Sequence, residues 1–154
     1  MIDIEGETLR LLREITAEMS SHAELRIERR SSIEGLVIEL IPSNERAASV
    51  WVVATNAHPT SGATLVAGYS CHIEWGVENE QALAAYLREL SEICHAVAAG
   101  LFAEEAWFKN NKLVAANGTI RINAKERTFQ TKEFFARRSG SSRKVLHYAP
   151  YRPR

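Results

Sequence analysis

The sequence predicts an α+β domain: two helices packed on one strongly bent, mainly antiparallel sheet, in the order α-β-β-β-β-α-β-β-β. Three observations carry this. Two stretches, near residues 3–20 and 79–100, repeat apolar residues at helical spacing. The segments between and after them alternate apolar and polar residues as half-buried strands do. Those strand runs follow one another without intervening helices, which argues for antiparallel pairing rather than βαβ units. A chain of 154 residues, 45% hydrophobic and 25% charged, is also large and apolar enough for one real core.

The first helix is expected over Asp3–Ser20. Ile4, Thr8, Leu11, Leu12, Ile15 and Met19 form its apolar stripe, Asp3 is its N-cap, and Glu5 and Glu7 suit the positive end of the helix dipole. Gly6 weakens the first turn and argues for a start one or two residues later. Four strands follow. Glu24–Arg30 places Leu25 and Ile27 on one face and charges on the other, as an edge strand does. Gly35–Ile41 points Leu36, Ile38 and Leu40 inward. Ala48–Thr55 is apolar on both faces and belongs at the centre of a sheet. Ala63–Trp75 alternates without interruption, so it reads as one long strand, with Gly68 marking a bulge or bend.

In the second helix Leu83, Leu87, Leu90, Cys94, Val97 and Leu101 recur at steps of four and three. Asn79 caps its start, and Gly100 supplies the left-handed residue just past its end. A three-stranded meander then follows, with two-residue turns at Asn110-Asn111 and Asn117-Gly118. Those turns fix a register in which Phe108 faces Leu113 and Leu113 faces Ile122. Ala106, Ala115 and Ile120 make the next row, and Trp107, Val114 and Arg121 share the opposite face. Thr131–Arg138 has the residues of a short helix, with Phe134 and Phe135 to dock it. Ser139–Ser142 reads as a linker and Lys144–Tyr148 as a last strand.

Charge is unevenly spread. Of 19 cations and 19 acids, residues 127–154 hold eight cations and only the acid Glu133, which leaves 11 cations and 18 acids in residues 1–126. The expected organisation is an acidic α+β domain over 1–126 and a basic segment over 127–154 that docks on it. The aromatic residues Phe134, Phe135, Tyr148 and Tyr151 would supply the contact that salt does not screen. No apolar run approaches the roughly 20 residues of a membrane span. Acids stand where a signal peptide would carry basic residues, so a cytoplasmic location is expected. Cys71 and Cys94 then read as buried free thiols.

Chemical motifs are sparse. The five histidines include no HExxH pair, and there is no CxxC. His72-Ile73-Glu74 matches half of a zinc deaminase signature, but the P-C-x-x-C half is missing. There is no GxGxxG, no Walker loop and no nucleophile elbow, so neither a metal nor a cofactor is expected. Ser70, His72 and Glu74 share one face of the predicted long strand, where they have the residue types of a nucleophile, a base and its orienting carboxylate. A solvated strand face has the same composition. His58 sits in the polar loop 56–62. Trp107 beside Arg121 would make a cation–π pair or a recognition patch.

These features favour a non-catalytic binding protein that acts through a protein–protein surface, such as an acidic inhibitor or antitoxin-like partner of a basic protein. The alternatives are a small-molecule-binding domain or enzyme with a pocket between sheet and helices, and a nucleic-acid-associated protein using the basic segment 127–154. The second helix gives the firmest stability expectation. With Leu87, Leu90 and Cys94 facing the sheet, Leu90→Ala should cost about 2–5 kcal/mol. A denaturant midpoint equal to wild type would remove this helix from the core.

Overall fold

The structure is a computed structural model that describes residues 1–131 and 140–153. Helix α1 spans Ile4–Met19. Asp3 accepts the Gly6 N–H at 2.9 Å, and this cap outweighs the weak propensity of Gly6, so the helix starts at Ile4. Its buried stripe is Ile4, Thr8, Leu12 and Ile15. Thr8 is tolerated there because its hydroxyl donates to Ile4 O at 2.6 Å and bonds Tyr86 Oη at 2.9 Å.

Five strands follow: β1 (Ala23–Glu28), β2 (Leu36–Pro42), β3 (Val50–Thr55), β4 (Gly62–Ala67) and β5 (Cys71–Gly76). They pair antiparallel in sequence order, with β1 on an edge and β3 at the centre, where its two apolar faces belong. Ile38, Leu40, Val50, Val52 and Leu65 point to one face and are fully buried with the helices.

The single strand expected over Ala63–Trp75 is instead the β4–β5 hairpin. Ala67 pairs with Cys71 and Leu65 with Ile73 around the turn Gly68-Tyr69-Ser70. A three-residue loop preserves side-chain parity, so the alternation runs through the turn unbroken. Gly68 is the turn residue, at φ 57°.

Helix α2 spans Glu80–Ala98, with Asn79 accepting the Ala82 N–H at 2.8 Å. Leu83, Leu90, Cys94 and Val97 are buried as the stripe requires, Leu87 is half-buried, and Tyr86 and Ile93 add to the buried face. Leu101 lies beyond the helix and is 38% exposed. The end is a Schellman motif: Leu101 N–H donates to Ala96 O, Gly100 N–H donates to Val97 O, and Gly100 takes φ 76°. Burial pushes the Cys71 and Cys94 thiols up to about 12, so both stay protonated.

A second antiparallel sheet holds β6 (Phe102–Lys109), β7 (Lys112–Ile122), β8 (Lys125–Gln130) and β9 (Ser142–His147), in the order β8-β7-β6-β9. The α+β class with two helices and antiparallel strands stands, but the strands divide between two sheets where one bent sheet was expected. The Asn110-Asn111 turn is present, with both residues at positive φ, and it pairs Lys109 with Lys112 and Phe108 with Leu113. The Asn117-Gly118 turn is not. Both residues lie inside β7, Gly118 pairing with Glu104 and with Phe129. The turn comes at Asn123-Ala124, at φ 49° and 62°. A bulge at Val114 shifts the register, so Trp107 faces Ala115 and Ala106 faces Ala116. From residue 132 onward the expected helix Thr131–Arg138, with Phe134 and Phe135, lies outside the described residues.

The two sheets share one core. Phe102, Ile120 and Phe129 from the second sheet are buried in the same cluster as α1, α2 and the first sheet. Tyr151 closes it: its N–H donates to Ala98 O at 2.8 Å, and its hydroxyl donates to Ala48 O at 2.7 Å. Among the described residues no helix is long and apolar enough to cross a membrane.

The Asn123-Ala124 turn makes a prediction. Alanine in the left-handed region carries a Cβ penalty of about 1 kcal/mol that glycine does not. Ala124→Gly should therefore raise the urea midpoint. A lowered or unchanged midpoint would show that the turn is not left-handed.

Candidate interaction surface

The core packed by the helices lies on one face of the first sheet; on the other, outer face, among the described residues, Val66 and His72 are exposed, Trp51 and Val53 are half-buried, and Val37 and Glu39 are buried. Its register follows from the strand pairing. One row crosses all five strands as Arg26, Glu39, Trp51, Val66 and His72. The neighbouring row is Glu28, Val37, Val53, Thr64 and Glu74. The middle of this face is therefore apolar and its two margins are charged. Trp51, Val53 and Val66 lie outside the buried core cluster, and Val66 is 38% exposed. On the β1 margin Arg26 reaches Glu39 at 3.3 Å, and the Arg30 guanidinium stands 5.8 Å from the Trp51 ring centroid. On the β5 margin His72 Nε2 lies 3.0 Å from Glu74 Oε1, with both side chains in solvent.

Two open grooves flank the β5 margin. One, of about 630 Å³, runs between Tyr69, Ser70, His72 and Glu74 on one side and Gln130 and Thr131 on the other. The second, of about 610 Å³, lies under the β3–β4 loop, with Pro59, Thr60, Val53, Thr64 and Glu74 among its walls.

The structure brings only some of the candidate residues together. His72 and Glu74 pair on the outer face. Ser70 is in the β4–β5 turn and points away from them, its hydroxyl donating to Glu104 Oε2 at 2.8 Å. His58 is exposed on the loop after β3. Trp107 and Arg121 are not neighbours. Trp107 is buried against Ala115, while Arg121 sits at the other end of β6, donating its N–H to Leu101 O, with its guanidinium 3.7 Å from Glu126. The Asn123-Ala124 turn moved Arg121 away from the row that a turn at Asn117-Gly118 would have given it.

The residue that positions the β5 margin is Glu104, which the sequence reading did not single out. Its side chain is almost wholly buried, 3% exposed, between the two sheets. It accepts the N–H groups of Tyr69 and Ser70 at 3.0 Å, the Ser70 hydroxyl, and the hydroxyl of Tyr148. Burial, reinforced by the Glu104 carboxylate, raises the Tyr148 pKa, so that phenol remains a donor. Tyr148 stacks on Phe102, with ring centroids 4.9 Å apart. The junction is close enough to demand two glycines. A Cβ at Gly68 would stand 2.4 Å from Glu104 Oε1, and one at Gly118 would stand 2.1 Å from Ser70 Oγ. The available signal was phase: Glu104 alternates in step with Phe102 and Ala106, so it is an acid on an apolar face.

On the helix side of the same margin, Glu89 accepts the Trp75 indole N–H at 2.7 Å and pairs with Arg127 of β8. Burial opposes ionisation of Glu89, but Trp75 and Arg127 outweigh it and hold its pKa below the ordinary value. No group of three or more possible metal ligands occurs among the described residues. Comparison of the chain with family models, with curated proteins and with solved structures gives no match.

Glu104→Ala would leave two backbone donors and two hydroxyls facing a cavity. The expected loss is about 2–4 kcal/mol, since a buried donor left unpaired costs on the order of 1–3 kcal/mol and water can repair some of them. Ser70→Ala removes one of the four donors and should cost about 1 kcal/mol. Equal urea midpoints for Glu104→Ala and wild type would show that the two sheets do not depend on this carboxylate.

Proposed function

We propose that this chain is a non-catalytic binding protein that acts through a protein–protein surface, the outer face of the five-stranded sheet. The observation that carries the reading is the apolar centre of that face. Trp51, Val53 and Val66 lie side by side on adjacent strands, away from the helix-packed core and partly exposed. An apolar centre ringed by charge is the usual anatomy of a recognition patch. The face is also a rigid platform, since all five strands are paired and its β5 margin is tied to the second sheet through Glu104.

The charge of the segment that carries the patch supports a basic partner. At the patch itself Glu28 pairs with Arg30, Glu39 with Arg26 and Glu74 with His72, but residues 1–126 as a whole hold 18 acids against 11 cations. Such an arrangement steers a cationic surface toward the patch and accelerates association. An inhibitor or antitoxin-like partner of a basic protein has this character.

The test is affinity capture from the native host with the wild-type chain and with Val66→Arg. Val66 is partly exposed, so arginine there leaves the fold intact while placing a cation in the centre of the patch. A partner held by the wild type, more weakly as salt rises, and lost on Val66→Arg supports the reading. Equal recovery by both chains places the binding surface elsewhere.

A further inference from the structure

We propose that His95 is a protonation-dependent pin between the two helices: as an imidazolium it ties the last turn of α1 to α2, and loss of one ring proton releases the tie. The pin does not depend on the use of the outer sheet face, because it lies between the helices. His95 stands in the last turn of α2, 77 residues along the chain from Glu18 in the last turn of α1. Both of its ring nitrogens face acceptors. Nδ1 lies 2.7 Å from Ser91 O, a carbonyl that can only accept, and Nε2 lies 2.9 Å from Glu18 Oε2. A neutral imidazole carries one N–H and an imidazolium carries two. Only the imidazolium can therefore donate to both partners.

The neutral ring has two tautomers, and each gives up a contact. With the proton on Nδ1 the Ser91 bond stays, and the Nε2 lone pair is turned on the Glu18 carboxylate. With the proton on Nε2 the Glu18 bond stays, and the Nδ1 lone pair meets Ser91 O. The Ser91 hydroxyl can donate to Nδ1 from 3.3 Å, but the closer carbonyl still faces that lone pair. Either way one of the two bonds is lost.

The surroundings favour the charged form. His95 borders a groove of about 360 Å³ between the end of α2 and the β7–β8 turn, which Glu92, Arg121 and Asn123 also line. Glu18 from α1 and Glu92 from α2 favour the imidazolium, and so does the negative end of the α2 dipole. Arg121 from β7 opposes it, but its guanidinium stands 3.7 Å from Glu126, which offsets its charge. Burial opposes the charge on His95, but the bonds to Glu18 and Ser91 O outweigh it and hold its pKa above the ordinary histidine value. The folded chain thus holds this proton more tightly than the unfolded chain does. The stabilisation is complete below pH 6.5, the ordinary value, and fades as the pH rises through the folded value. The His95 and Glu18 side chains are 41% and 59% exposed, so the proton comes and goes without unfolding and the effect is local. Helix α1 has no basic residue in its own last turn, and the imidazolium supplies from α2 the positive charge that this helix end lacks.

The experiment is an NMR titration of the full chain, as wild type, Glu18→Gln and His95→Gln. Comparison with His95→Gln assigns the His95 ring. Both of its nitrogens are expected to stay protonated past pH 6.5 in the wild type. Glu18→Gln keeps an acceptor but removes the charge, so it should lower the pH at which His95 titrates. Amide exchange at residues 17–19 reads the pin itself. Through the His95 titration the protection of these amides should fall about twofold or more in the wild type and stay level in His95→Gln. If His95→Gln is unstable, the more exposed Glu18→Gln carries the same comparison. A His95 that titrates at or below pH 6.5, a titration unmoved by Glu18→Gln, or wild-type protection that stays level would each overturn the pin.

Discussion

The fold turns on a buried carboxylate that must be fully solvated by protein. Glu104 sits where the β4–β5 turn of one sheet meets β6 of the other, and its hydrogen bonds come from neutral donors. A carboxylate taken out of water is tolerated only when its lone pairs are filled. The Tyr69 and Ser70 backbone, the Ser70 hydroxyl and Tyr148 meet that demand, and so fix how the hairpin turn lies on the second sheet. Gly68 and Gly118 follow from the same requirement, since either side chain would occupy the space the carboxylate and Ser70 need. Much of what is distinctive about the sheet junction is a consequence of keeping one charge satisfied.

The parts of the fold legible in the sequence are those set by local physics. The cap residues Asp3 and Asn79, the stripe through Leu83, Leu90 and Cys94, and the Asn110-Asn111 turn depend on neighbours a few residues away. The misreadings have distinct causes. Ala63–Trp75 looked like one strand because an odd loop keeps the alternation in phase, so no pattern of polarity distinguishes a long strand from such a hairpin. Asn117-Gly118 carries the strongest local hairpin signal, yet Gly118 is there because Ser70, far away in the sequence, approaches its Cα. The real turn, Asn123-Ala124, lacks glycine and was invisible to the same rule.

The candidate surface was legible only in part, for the same reason. His72 and Glu74 are two apart on one strand, so their pairing follows from strand geometry alone. The row Arg26, Glu39, Trp51, Val66 and His72 depends on four strand registers, none of which composition fixes. Ser70 kept the right parity but belongs to a turn, and turns point side chains where tertiary contacts require. Trp107 and Arg121 were joined by a register that one bulge and one displaced turn undo.

The Tyr151 contacts bear on how the chain reaches this structure. Its hydroxyl bonds Ala48 O, 103 residues away in sequence, and its N–H bonds the carbonyl of Ala98 at the end of α2. During synthesis the first sheet and both helices emerge before the residue that plugs the space between them. The nascent domain therefore waits with an open seam between the β2–β3 loop and the end of α2. Contacts of such long sequence separation slow folding, because a large loop must close before they form. That open interval is when a chaperone has most to gain from holding this chain, and when its apolar strands are most prone to aggregate.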